Sequence, residues 1–334
     1  MNKPEQSLKI PSGVVSVASS KMFTYPTRLI DAWEPNIMEI NLPAYELKAP
    51  DIEITVHQGS TQSLGIESHN IYKRLYKKLS APIQINEEYI YDSRFETDGN
   101  IAHILGCVAV KLLLAQKICP KITAILKENP TKMALTAYKI LGFPVLCTDK
   151  DVQGKLVLTS DPSDKHYEQF YRSLFGQLSF EGYKSKTPER IFISRKGSRC
   201  LINENEIEQT LKEYGFEKFY FEDIPISEQW SVTRNAKVVV GMHGAALKSL
   251  VFNSNSVKVV ELFHPGYVVD VYRQDTNAVG GTWCGVTGQL PDNIIKELDY
   301  KKKARSFALS STKIDITSLR MALEYLEIEK REIQ

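Results

Sequence analysis

Residues 236–265 read AKVVVGMHGAALKSLVFNSNSVKVVELFHP. Two apolar runs, KVVVGM and VKVVELF, flank a segment of helix length, GAALKSLVF. Runs that are apolar along their whole length belong to strands covered on both faces, and a helix between two such strands makes them parallel. The same rhythm extends upstream. RIFISR (Arg190–Arg195) predicts a strand, NENEIEQTLKEYGF a helix with Asn203 as its cap and Gly215 at its end, KFYFED a second strand, and SEQWSVTRNA a short helix starting at Ser227. The second half of the chain therefore reads as a parallel α/β sheet, with KVVVGM as its third strand.

The first half is less regular but similar in kind. IEITVHQ and EEYIYDSR predict strands, Gly99–Ile118 a helix, ITAIL a strand, and TKMALTAYKILGFP a helix ending at Gly142 and Pro144. PVLCT and GKLVLTS are further strand candidates, and the polar stretch Glu181–Glu189 is the best linker. Near the C-terminus, Leu319, Leu323 and Leu326 share one helical stripe. The expected organisation is an α/β domain over residues 1–183, a second over 184–312, and a closing helix over 313–334.

Composition narrows the function classes. The 334 residues are 43% hydrophobic and 25% charged with a net charge of +2, so there is no broad basic field to hold a nucleic acid. Five scattered cysteines without a C-x-x-C pair suit free thiols in a reducing compartment. The N-terminus has no apolar core of signal-peptide length, and no run of about 18 uncharged apolar residues appears. The expectation is a cytoplasmic protein. Tyr300–Arg305, YKKKAR, offers a peripheral contact with the inner membrane face, with a plain solvated run as the alternative.

In open parallel sheets ligands collect at the carboxyl ends of strands, which is where Gly241-Met242-His243-Gly244-Ala245-Ala246 falls. Glycines there permit unusual backbone or close approach, and a helix N-terminus following them favours a phosphate. His243 is placed to donate to a phosphate or ribose oxygen, and Glu261, on the next strand, to take ribose hydroxyls. Ser194, Arg195, Lys196 and Arg199 follow the first strand of the same sheet, and arginine matches a diphosphate bidentately. A tight turn with a satisfied histidine is the more ordinary explanation of a G-x-x-G taken on its own.

RIFISR, NENEI, GFEKFYFEDIPISEQ, NAKVVVGMHGAALKSLVF and VVELF, in that order, resemble the C-terminal half of glycosyltransferase family 61, with the H-G-A turn and the Glu261 strand as the most specific part. DGNIAHILGCVAVKLLL resembles that family's segment with an asparagine and a histidine at the start of a long helix, here Asn100 and His103. The family more often has glycine where Ala246 stands and asparagine where Ser249 stands.

The resemblance implies a GT-B architecture, two Rossmann-like α/β domains facing across a cleft, and inverting transfer from a nucleotide sugar, with UDP the choice. The acceptor is expected to be a glycan or lipid-linked glycan of a surface polysaccharide. His103 becomes the base for the acceptor hydroxyl, with Asp98 as substitute and Asn100 beside it on the acceptor side. The Gly244 and Ala245 backbone, His243 and Arg195, assisted by Ser194 and Arg199, become the donor site.

No bound cofactor or metal is expected. The one D-x-D, Asp149-Lys150-Asp151, reads as a solvated turn. Two alternatives stay open: a nicotinamide-dependent oxidoreductase, although G-x-G-x-x-G is incomplete here, and a non-catalytic nucleotide-binding subunit of a polysaccharide assembly.

Overall fold

The computed structural model describes residues 4–25, 37–64, 81–94, 96, 99–160, 167–180, 187–291 and 308–331. The chain forms two compact units of mixed α/β structure: Met1–Val14 with Lys48–Phe180, and Val15–Leu47 with Glu181–Gln334. This corrects the expected boundaries, because Val15–Leu47 folds with the second half of the chain.

The first unit holds a six-stranded sheet in the order Gln6–Ile10, Ile52–Ser60, Val152–Thr159, Ile83–Asp92, Ile122–Leu126, Val145–Cys147. Its last four strands are parallel, and the two N-terminal ones join antiparallel. Ile122–Leu126 is buried at every position, as a central parallel strand must be. Thr131 caps the Lys132–Ile140 helix by accepting from the Ala134 N–H, and Gly142 leaves it at a φ of 81°.

The second unit holds seven strands in the order Glu217–Tyr220, Arg190–Ser194, Val238–Met242, Lys258–Phe263, Thr282–Thr287, Ser20–Thr24, Met38–Leu42. All neighbours are parallel except the last pair. The Glu204–Lys212 helix ends at Gly215 with a φ of 74°, as its sequence suggests. Its start differs. Asn203 makes no side-chain cap; its amide donates to the Ile314 carbonyl and its oxygen accepts from the Ile314 N–H, which ties the helix start to the C-terminal segment. Ser227 lies inside the Ile226–Asn235 helix rather than at its cap.

The C-terminal helix, Ile316–Tyr325, belongs to the second unit. Leu319, Ala322 and Leu323, each fully buried, join Val240, Val260, Leu262 and Val286 in the core of the second unit. The apolar stripe simply lies down on the nearest uncovered face of its own sheet, beside Phe23. Asp315 caps this helix, its carboxylate accepting from the Ser318 N–H at 2.7 Å. Asp315→Ala is expected to cost about 1 kcal/mol. A melting temperature lower by roughly 2–4 °C is the sign, and Asp315→Ser should recover most of it.

Among the described residues no helix is long and apolar enough to cross a membrane. Tyr300–Arg305 lies outside the described residues.

Candidate functional site

The third strand of the parallel sheet, Val238–Met242, is buried at every position, and its ladder carries one step further through His243 N–H donating to the Leu262 carbonyl at 2.8 Å. That extension fixes the His243 side chain at the carboxyl end of the sheet. Its Nδ1 lies 2.5 Å from Glu261 Oε1, and Trp283 Nε1 donates to Glu261 Oε2 at 2.7 Å. His243, Glu261 and Trp283 thus form a row across three adjacent strands. The imidazole stacks on Phe263 at 5.3 Å, with Tyr267 and Tyr272 tilted against it at 5.2 and 5.3 Å.

This row corrects the role expected of Glu261. The carboxylate is 0% exposed and both its oxygens are taken, so it cannot reach a ribose. It lies within the Lys258–Phe263 strand rather than beyond its end. Burial pushes its pKa above the usual carboxylate range, against the opposing hydrogen bonds from His243 and Trp283. With Nδ1 committed to Glu261, Nε2 is the nitrogen left for a ligand.

The glycines serve close approach, not unusual backbone. Gly244 is extended at φ 169°, a conformation open to any residue. A Cβ there would lie 2.4 Å from Arg195 Nη1, which donates to the His243 carbonyl at 3.1 Å. A Cβ on Gly241 would lie 2.6 Å from Leu247 Cδ2. The segment after the turn, Ala245–Phe252, is a 3-10 helix rather than the expected α-helix. Ser249 donates to the Ala246 carbonyl three residues back and shares a hydrogen bond with Thr233, in step with that tighter winding.

Arg195 and Arg199 stand close enough that Arg195, after burial, is the main force lowering the Arg199 pKa. Arg199 sits at a φ of 58°, held by its N–H to the Leu309 carbonyl, with its guanidinium 5.4 Å from the Tyr267 ring centre. Among the described residues its buried Nε has no hydrogen-bond partner, and neither has the buried Ser194 hydroxyl. Lys196 turns away to Asp223 at 2.5 Å, an exposed pair outside this cluster.

His264 is a turn residue. Its Nδ1 accepts from the Gly266 N–H at 3.0 Å, so Nε2 carries the hydrogen and donates to Ser310 at 2.9 Å. Burial and then Arg199 push its pKa down, which keeps it neutral.

Residues 37–260 match the family described as Glycosyltransferase 61. The chain belongs to glycosyltransferase family 61. The family 61 match takes in the Arg190–Ser194 strand, both arginines and the glycine turn, and stops one residue short of Glu261. Over 77 residues the chain is 32% identical to the EGF domain-specific O-linked N-acetylglucosamine transferase of Drosophila melanogaster. That stretch is 22% of this chain and spans 15% of the fly protein. A solved structure, the bacterial iron-containing dodecameric glycosyltransferase TibC from enterotoxigenic E. coli H10407, aligns over 78% of this chain and 76% of its own at 10% identity, with a TM-score of 0.29, too low to carry an argument.

In the first unit of this family 61 chain, Asn100 caps the helical run, its side chain accepting from the Ala102 N–H at 2.9 Å. His103 follows in the first turn, half-buried, immediately before a π-helical stretch at Ile104–Val108. The Gly106 carbonyl in that stretch accepts from the Tyr171 hydroxyl at 3.4 Å. Beneath it Lys111, the cation that interrupts the apolar run, pairs with Glu96 at 2.7 Å; Glu96 also accepts from Cys107 and Tyr91. Burial works against the Lys111 charge, but Glu96 prevails and holds its pKa above the usual range. Asp98 lies outside the described residues.

The D-x-D is not the solvated turn expected. Asp151 is buried and accepts from the Ser60 and Thr61 hydroxyls and the Gln62 N–H, closing a loop of the first unit. Among the described residues no group of three or more His, Cys, Asp or Glu side chains is placed to hold a metal.

Tyr267, Tyr272 and Trp283, which complete the surroundings of His243, are absent from the sequence expectations. The available signal was the register: Trp283 lies two residues before Gly285, the partner of Glu261 on the neighbouring strand, visible only once Thr282–Thr287 is known to pair with Lys258–Phe263.

Proposed function

We propose that the chain is an inverting glycosyltransferase that moves a sugar from a nucleotide donor, UDP being our choice, to a hydroxyl of a glycan or lipid-linked glycan. Family membership supports glycosyl transfer, and one observation supports the donor site. Arg195 and Arg199 lie within each other's field, and among the described residues the buried Ser194 hydroxyl and Arg199 Nε have no hydrogen-bond partner. Like charges half-withdrawn from water repel each other, and a diphosphate relieves that repulsion while accepting from both donors. The nicotinamide reading is weakened because its acid, Glu261, is buried and occupied.

In this proposal the two units form the facing halves of a GT-B enzyme. His103 takes the proton of the acceptor hydroxyl as its oxygen bonds to the anomeric carbon. The bond from that carbon to the β-phosphate oxygen breaks on the opposite face, and the electron pair leaves with the diphosphate. Arg195, Arg199, His243, Ser194 and the Gly244–Ala245 backbone stabilise the charge that gathers there. The guanidiniums supply the cations the leaving group needs, so the reaction proceeds without a metal. A surface-polysaccharide role and a cytoplasmic site with peripheral membrane contact complete the proposal.

Calorimetry with UDP and NAD is the first test, followed by UDP release from a panel of UDP-sugars. UDP is expected to bind and NAD to give no heat. Arg195→Ala should weaken UDP binding about 10–100-fold, the worth of one or two charge-assisted hydrogen bonds, with an unchanged melting temperature. NAD binding, or UDP binding indifferent to Arg195, would overturn the donor site; UDP binding with no turnover of any donor would favour a non-catalytic subunit.

A further inference from the structure

The row His243–Glu261–Trp283 determines which nitrogen of His243 carries hydrogen. Trp283 Nε1 can only donate, and it donates to Glu261 Oε2. Glu261 Oε1 faces His243 Nδ1 at 2.5 Å. When this buried pair carries a single proton, that proton lies between Nδ1 and Oε1, and Nε2 is a bare lone pair. A fully ionised phosphate oxygen is also only an acceptor. The two cannot meet unless a second proton enters.

We propose that Glu261 is a positioning residue that holds His243 by Nδ1, so that a nucleoside diphosphate binds together with one proton, taken up on Nε2. This rests on the donor-site reading above. Arg195, anchored on the His243 carbonyl, and Arg199, over Tyr267, are the cations beside the imidazole. From the Val271–Ala278 helix Tyr272 faces the ring, with Asp275 acting on that tyrosine. Asp270 acts on Glu261, and Trp283 closes the far side of the carboxylate. His264, bound to its own turn, stays neutral under the field of Arg199. The incoming diphosphate cancels the arginines' field, and the imidazolium then lies between two anions, Glu261 and the ligand. Bound as an ion pair on one side and a charge-assisted donor on the other, it is oriented before the reaction begins.

A glutamine at 261 separates this from a merely structural carboxylate. Its one carbonyl oxygen must face Trp283, so its NH2 faces Nδ1, which then has to be the bare nitrogen. The imidazole hydrogen moves to Nε2, and the neutral ring can donate to phosphate with no proton entering.

The test is calorimetric titration of the full chain with UDP at about pH 8, where the UDP phosphates are already ionised. It is run in two buffers of different ionisation enthalpy, Tris and HEPES. For the parent chain the observed heats should differ by the uptake of up to one proton per UDP, and affinity should fall up to tenfold per pH unit. Glu261→Gln should bind UDP within about tenfold of the parent and lose the buffer dependence. If that variant does not fold, His243→Gln, which has no titrating ring, must lose it instead. Parent binding with the same heat in both buffers overturns the proton linkage while leaving the donor site standing, as does a buffer dependence that survives in the variant. No UDP heat in the parent ends both.

Discussion

The His103→Ala enzyme is expected to bind UDP as the parent does and to transfer sugar about 10²–10⁴-fold more slowly, the usual contribution of a positioned base. His103 belongs to the unit that does not contain the arginine cluster, so its removal leaves the diphosphate contacts intact. It stands in the first turn of a helical run whose start is fixed by the Asn100 cap and whose next turn is π-helical, a distortion often retained at functional sites. The side chain is only half-buried, so alanine opens no core cavity and the melting temperature should hold. Initial rates with the best donor and acceptor, together with UDP affinity, give the split between turnover and binding. Partial recovery on adding imidazole would mark a missing proton acceptor. Transfer at the parent rate would remove His103 from the chemistry and turn attention to Asp98.

Asp275→Ala should lower stability by about 3–5 kcal/mol, the cost of stripping a buried cation of its carboxylate. Asp275 is 0% exposed, and both its oxygens accept from Lys248 Nζ at 2.9 Å. The pair ties the 3-10 segment Ala245–Phe252 to the Val271–Ala278 helix, which carries Tyr272 against His243. A drop in melting temperature on the order of 10 °C is expected, with weaker UDP binding in the fraction that stays folded. Lys248→Met combined with Asp275→Leu should return much of the lost stability, because no charge is then left to bury. A loss below about 1 kcal/mol for Asp275→Ala would mean that Lys248 finds another acceptor, and the pair would not be the tie described.

The regular elements of both units were legible because period and punctuation agreed. Ile122–Leu126, Val238–Met242 and Lys258–Phe263 are apolar throughout and buried, and Gly142 and Gly215 end their helices in the left-handed conformation. The N-terminal strands were not legible. Ser20–Thr24 and Met38–Leu42 are short, and what makes them strands is the open edge of Thr282–Thr287, far away in sequence. The same distance hid the domain boundary.

At the site, Arg195, Arg199 and His243 were picked out by residue type and spacing, and the structure brings them together around one turn. Glu261 was picked out too, but its role depends on burial, which spacing does not report. The 3-10 winding after Gly244 was equally invisible, since an eight-residue apolar segment suits either helix.

The pairing of Ser20–Thr24 with Thr282–Thr287 also bears on how the molecule is made. Gly285, the partner of Met22, follows it by 263 residues, so one is translated well before the other. At about 5–20 residues per second the nascent chain carries that strand without its parallel partner for on the order of tens of seconds. During this interval Met22 and Phe23, both buried in the finished molecule, have only the Met38–Leu42 strand to pair with and are open to chaperones. A fragment beginning at residue 187 lacks the strand altogether and presents Thr282–Thr287 as a bare edge, an invitation to aggregate.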